Sequence, residues 1–286
     1  MEDSTAERAT EGRVGANPQN GRSARRKKRH TQAGMLPEFL IIGTQKGGTT
    51  FLYNLLRRHP HFEPAVEKEI HFFDTPNFKL GEQWYRTHFP PQQQKNGHNV
   101  ITGEASPYYL FHPLAARRTA EIIPQAKLIA LLRNPIDRAY SDYQHKVRQG
   151  YEKLPFGEAL HLEEERLWGE KEKILADDTY RSPNHRRFSY LSRGVYVDQL
   201  QEWHRCFDRE QLLLLKSEDF FEHPTATLRR VTHFLGLPWR KARIGGNRNP
   251  GGYSSSLDPE TLQWLQRYYE PHNKRLYEYL GVDFGW

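Results

Sequence analysis

The sequence predicts a three-layer α/β fold, a central parallel sheet flanked by helices, and three observations predict it. Phe39-Leu40-Ile41-Ile42 is a short continuous apolar run closed by Gly43, and after a polar loop Leu52, Leu55 and Leu56 recur at helical spacing. Lys127 to Leu132 repeats the pattern: an apolar run, the break Arg133-Asn134-Pro135, then a helical stretch from Ile136 to about Gln149 closed by Gly150. Strands apolar at every position must be covered on both faces, and strands alternating with helices pair in parallel.

The remaining elements follow in chain order. Residues 1–34 are rich in Gly, Ser, Ala, Asn and charge with no apolar period, and read as a disordered basic tail; residues 35–286 form one globular domain. Eight basic against four acidic residues put +4 of the formal +7 in that tail and leave +3 on the body. Whole-chain basicity is therefore weak evidence for a nucleic-acid partner. The run Arg25-Arg26-Lys27-Lys28-Arg29 suits a nuclear signal, an anionic surface or plain solvation. Val100-Ile101-Thr102 and Leu212 to Leu215 add two strands, and helices are expected over 155–176, 190–206, 219–235 and 258–280, with Pro271 breaking or kinking the last.

At 286 residues, 36% hydrophobic and 13% aromatic, the chain can bury one substantial core. Cys206 is the only cysteine, so no intrachain disulfide forms, and it reads as a core residue beside Leu200, Trp203 and Phe207. The histidines include no H-E-x-x-H, and no metal is expected. No signal-peptide core and no stretch of the ~20 apolar residues that span a bilayer is present, which predicts a soluble chain.

The stretch FLIIGTQKGGTTFLYNLL, residues 39–56, carries the chemistry. A glycine turn feeding a helix N-terminus offers backbone N–H groups and a positive dipole end to an anion, with Thr49 and Thr50 as further donors. This makes the fold P-loop-like and phosphate the default ligand. A triphosphate loop, however, carries its lysine at the helix start. Here Thr49 holds that place and Lys46 lies inside the loop, near Gly47 and Gly48, so the charge meets a shorter anionic chain such as phosphate joined to sulfate.

With its displaced lysine, FLIIGTQKGGTTFLYNLLRRHP resembles the 5′-phosphosulfate loop of sulfotransferases that use 3′-phosphoadenosine 5′-phosphosulfate (PAPS), in particular the heparan sulfate group and its bacterial relatives. The resemblance implies that Lys46 contacts the phosphosulfate and supports the departing oxygen, without a metal. LLRNPIDRAYSDY, residues 131–143, resembles the 3′-phosphate motif and assigns Arg133 and Ser141 to that phosphate. KEIHFFD, residues 68–74, maps a catalytic base onto Glu69, with His71 and Asp74 also matching. NPGGYSSSLDPETLQWLQRYYEPHNKRLYEYLGVDFGW resembles the carboxy-terminal block, with Gly251, Gly252 and Tyr253 as a loop over the nucleotide, although the Lys-Gly-Arg element of the heparan sulfate enzymes is replaced by Pro250-Gly251-Gly252-Tyr253. In GEASPYY their active-centre lysine is replaced by Ala105, and Glu104 is either a cleft residue or a buried structural carboxylate.

The implied reaction is in-line transfer of a sulfonate to a hydroxyl or amine of a carbohydrate, lipid or other small metabolite, releasing adenosine 3′,5′-bisphosphate. Tyr85, Trp84, Tyr108, Tyr109, Trp168 and Tyr190 are more often core residues than an acceptor platform. A cytoplasmic location is expected, and the oligomeric state is not legible. Two rivals remain at this point: a P-loop nucleotide kinase or NTPase, which requires a lysine at 49 and an acidic magnesium ligand after an apolar strand, and a nucleic-acid binder using the tail.

Overall fold

The computed structural model describes residues 34–92, 94–95, 97–241 and 257–286. Most of the tail assigned to residues 1–34 lies outside the described residues, and so do Gly251, Gly252 and Tyr253.

Strand β1 (Phe39–Gly43) leads through the glycine loop into α1 (Thr49–Leu56). Helix α2 (Gly81–Arg86) and a small antiparallel pair, β2 (Gln94–Lys95) with β3 (His98–Asn99), precede β4 (Gly103–Ala105). Helix α3 (Ala115–Ile122) returns the chain to β5 (Lys127–Leu132), which feeds α4 (Pro135–Arg148). The short helices α5 (Phe156–His161), α6 (Glu163–Leu167), α7 (Glu170–Ala176) and α8 (Pro183–Arg187) follow, then α9 (Tyr196–His204), β6 (Leu212–Lys216), α10 (Ser217–Glu222), α11 (Pro224–Phe234) and α12 (Pro259–Leu280).

The main sheet has the order β4-β1-β5-β6, and every pairing in it is parallel. Alternation along each strand divides the core in two. Leu40, Ile42, Leu128, Ala130 and Leu132 face the cluster shared with α3, α4, α9 and α12; Phe39, Ile41, Ile129 and Leu131 face the one shared with α1, α10 and α11. Both faces being covered is why these strands read as unbroken apolar runs. All four carboxyl ends point to one edge, so the loops after Gly43, Ala105, Leu132 and Lys216 meet there.

Several boundaries differ from expectation. The strand expected at Val100 to Thr102 is displaced to Gly103–Ala105, because Phe39 of β1 registers with Gly103; Thr102 instead gives its N–H to the Glu38 carboxylate (2.8 Å). The helix expected over 155–176 is three pieces, since its carboxylates turn to separate partners. Glu163 accepts from the Leu191 and Ser192 amides (2.6 and 2.9 Å), and Glu170 from the Tyr180 hydroxyl (2.8 Å). Residues 190–195 are held by those same bonds, so α9 begins only at Tyr196. The helix expected over 219–235 divides at His223 and restarts on Pro224. In α12 the helix continues through Pro271; the proline forfeits one backbone bond, but Leu265, Tyr269 and Leu276, anchored in the core, hold its two halves together. Trp168 is 79% exposed rather than core, while Tyr85, Tyr108, Tyr109 and Tyr190 are buried. Cys206 is half-buried against the core.

Candidate active site

The glycine loop after β1 is fixed from below by β5. The Thr44 N–H donates to the Leu131 carbonyl (2.9 Å) and the Gly47 N–H to the Thr44 carbonyl (3.0 Å). A Cβ on Gly47 would lie 2.6 Å from the Leu131 carbonyl oxygen, and Gly48, with φ of 97°, forms the N-cap of α1, so both glycines are required by the path of the chain. No side chain caps that helix, which leaves its first-turn amides to an outside anion. Thr49 is buried and Thr50 exposed at the loop mouth. Lys46 is half-buried; burial pulls its ammonium below the ordinary value, Asp142 works against that, and Arg148, Arg133 and Arg138 add to it.

Arg133, at the end of β5, donates to the Lys46 carbonyl (3.0 Å), and its own carbonyl accepts from the Tyr196 hydroxyl (2.8 Å). Asn134 then caps α4 through its side chain, accepting from Ile136 N–H (3.0 Å). Ser141, two turns along α4, is buried. The two segments that the sequence assigned to phosphates are thus one unit, further joined by a pair that sequence reasoning missed. Ser217 donates to the Gly47 carbonyl (2.8 Å) and Glu218 accepts from the Asn134 N–H (2.8 Å), both at the start of α10. A usable signal existed: they directly follow a buried parallel strand, at the edge where such sheets bind ligands. Beside Gly48, the Phe51 and Phe221 rings stack with centroids 6.3 Å apart and planes 9° apart.

Across the cleft lies the segment before α2. His71 shares Nδ1–H with the Asp74 carboxylate (2.7 Å), and its Nε2 lies 3.6 Å from Glu69 Oε2. Lys68 pairs with the other oxygen of Glu69. Burial alone would lower His71, but the Asp74 hydrogen bond and the nearby Glu69 carboxylate outweigh it and push it up to about 9. Burial would raise Glu69, but His71 and Lys68 hold it down to about 2. Glu104 is fully buried and accepts from Tyr85 (2.7 Å), Ser106 (2.8 Å) and Tyr109 (3.0 Å). The Tyr109 hydroxyl in turn accepts from the Phe72 N–H (2.9 Å), so Glu104 is a structural carboxylate that braces the Glu69–Asp74 segment. Ala105 is buried in the apolar face with Phe39 and Ile41.

Among the described residues, the non-glycine positions with positive φ are Lys46 (73°), Glu69 (63°) and His71 (54°). Each such conformation costs on the order of 1–3 kcal/mol and persists where the surroundings over-determine it, commonly at functional sites. These are the three residues the sequence singled out for chemistry.

Glu69 and His71 open on a cleft of about 340 Å³ whose other walls include Gln45, Lys146, Arg186 and Arg187. Lys146 is buried there, which lowers it to about 8 although Asp142 resists. Arg193, also missed by sequence reasoning, lies behind the cleft, 1% exposed. It bonds Gln45 of the glycine loop, lies 3.7 Å from Asp142 on α4, and donates to the carbonyls of His185 (3.1 Å) and Arg186 (3.0 Å) at the end of α8.

A family model described as a sulfotransferase domain matches residues 36–248. The chain belongs to the sulfotransferase family. It is 31% identical over 274 residues to the human heparan sulfate glucosamine 3-O-sulfotransferase 3B1, covering 88% of this chain and 65% of that protein. It is also 29% identical to the human bifunctional heparan sulfate N-deacetylase/N-sulfotransferase 2, over 86% of this chain and 30% of the relative. The chain thus spans less than two thirds of the length of these relatives. The crystal structure of a sulfotransferase from Alicyclobacillus acidocaldarius superposes with a TM-score of 0.69 at 30% identity, covering 87% of this chain and 98% of that one.

In this family member the Asp74–His71–Glu69 chain sets an expected pH dependence. The charged pair persists while pH stays above the Glu69 value and below the His71 value, so its contribution to kcat/KM should be flat through neutrality and fall near pH 9, above the loss of the Lys146 charge near pH 8. Asp74→Asn removes the strongest support for the imidazolium, and the alkaline limb of the kcat/KM profile should move down by about one unit or more. An unmoved limb would assign that ionisation to another group.

Proposed function

We propose that this chain transfers a sulfonate from PAPS to a hydroxyl or amine of an acceptor by in-line displacement, releasing adenosine 3′,5′-bisphosphate. The observation that carries the reading is the bond from Arg133 to the Lys46 carbonyl. It makes one rigid unit of a 5′ loop with a cation inside it and a strand-end arginine followed by a buried serine, a set suited to a nucleotide with phosphate at both ends. Arg133 also stands where a kinase would need an acidic magnesium ligand.

In this reading the sulfur–oxygen bridge breaks as the acceptor bonds to sulfur, and Lys46 neutralises the charge left on the 5′-phosphate. Glu69 takes the acceptor proton. Its low basicity is compatible with that role because a hydroxyl already bonded to sulfur is strongly acidic, so the proton leaves late and easily. Lys146 and Arg187 on the cleft wall suit an acceptor that carries negative charge. The heparan sulfate named in the relatives' titles would supply such an acceptor, and a small anionic sugar would equally fit the cleft.

Calorimetric titration with adenosine 3′,5′-bisphosphate, beside ATP with magnesium, tests the donor. The bisphosphate is expected to bind in preference, and Arg133→Ala to weaken it by about 10²-fold, as expected for loss of a charge-assisted phosphate contact worth ~2–3 kcal/mol. Preference for ATP with magnesium would remove the reading.

A further inference from the structure

We propose that Arg186 is a catalytic residue whose guanidinium, together with His71 Nε2, binds the oxygens of the transferring sulfonate. This rests on the donor reading above and adds to it an oxyanion subsite contributed by α8.

The two arginines that end α8 diverge. Arg187 lies over the Tyr151 ring, 4.0 Å from its centroid, whereas Arg186 turns toward the opposite wall, its Nη2 3.0 Å from His71 Nε2. Its side chain is exposed to the cleft, and among the described residues no carboxylate pairs with it. With Nδ1–H given to Asp74 (2.7 Å), the His71 ring has only Nε2 to offer to the cleft. When the ring is an imidazolium, both Nε2 and Nη2 are donors, so two N–H groups converge 3.0 Å apart, and Glu69 Oε2, 3.6 Å from Nε2, lies beyond an ordinary hydrogen bond. An oxyanion resolves that contact by accepting from both. The Asp74 and Glu69 carboxylates favour this imidazolium, while Arg186 itself opposes it; an anion placed between the two cations removes the opposition.

The rest of the structure holds this pair in register with the donor loop. Arg193 donates to the Arg186 carbonyl (3.0 Å) and bonds Gln45, the residue beside Lys46, so α8 and the loop share one buried anchor. Bond making and breaking need nothing further. The sulfonate leaves the phosphate oxygen for the acceptor oxygen or nitrogen, Glu69 receives the acceptor proton, and Arg186, always charged, neither gives nor takes one. Its contribution is charge aimed at oxygens that are negative throughout the transfer.

The test separates donor recognition from acceptor recognition. Dissociation constants for PAPS and for adenosine 3′,5′-bisphosphate are measured without acceptor on wild type, Arg186→Gln and Arg186→Lys, with thermal midpoints as the folding control. Arg186→Gln should weaken PAPS about tenfold, one charged hydrogen bond, while bisphosphate affinity stays within about twofold, and kcat should fall about 10²-fold or more. Arg186→Lys should recover part of both losses. Equal weakening of the two nucleotides, or a change confined to the acceptor KM, would overturn the assignment. Wild type binding neither nucleotide would overturn the donor reading and this inference together, whereas wild-type bisphosphate binding with an unaltered PAPS-to-bisphosphate ratio in Arg186→Gln would overturn this inference alone.

Discussion

Glu69→Gln is expected to retain adenosine 3′,5′-bisphosphate affinity and lose turnover by about 10²–10⁴-fold, the range for removing a general base. The substitution is nearly isosteric and the side chain is 42% exposed, so little packing changes. The proposed donor-binding groups, α1's amides, Arg133 and Ser141, lie on other elements. What is lost is the carboxylate that faces the cleft beside His71 and Lys68. Single-turnover sulfonate transfer to a hydroxyl acceptor, alongside calorimetry with the bisphosphate, separates the two effects. Undiminished transfer would mean that the acceptor proton goes elsewhere.

Lys46→Met should be comparably severe, with about a 10²–10³-fold loss of kcat, the magnitude typical of removing one group that stabilises charge developing in the transition state. Methionine keeps the unbranched stem in its half-buried slot, so the loop path should survive. The free site disfavours the ammonium, through burial and three nearby arginines, and a bound anionic phosphosulfate reverses that balance. Much of the charge of Lys46 is therefore useful only with the donor present. A loss of donor affinity without a fall in single-turnover rate would make Lys46 a binding residue and would leave the departing oxygen without its assigned partner.

Legibility in the sequence followed the separation of the partners. The sheet and both strand–loop–helix segments could be read because the glycines, proline and apolar spacing of each act locally. Glu69 and His71 stood out through resemblance, since two polar residues at spacing two on an extended segment carry no local signature. Arg193 with Gln45, Ser217 with Gly47, and Arg186 with His71 are pairs 148, 170 and 115 residues apart, and nothing in either local stretch announces the other. The divided 155–176 helix failed for the same reason: its periodicity is helical throughout, but buried Glu163 is worth more as the acceptor of the Leu191 and Ser192 amides than as one more residue in a long helix.

Ser217 and Glu218 follow β6, the edge strand farthest along the chain, and each closes onto a different one of the two loops proposed to bind phosphate. During synthesis, both loops leave the ribosome well before the residues that tie them together. On the proposed reading, nucleotide recognition is therefore a property of the finished sheet: a nascent chain that already contains both motifs has the words of the donor site without the clasp. Closing contacts across 170 residues is entropically the late step in assembling such a topology, so competence to bind and completion of the fold arrive together.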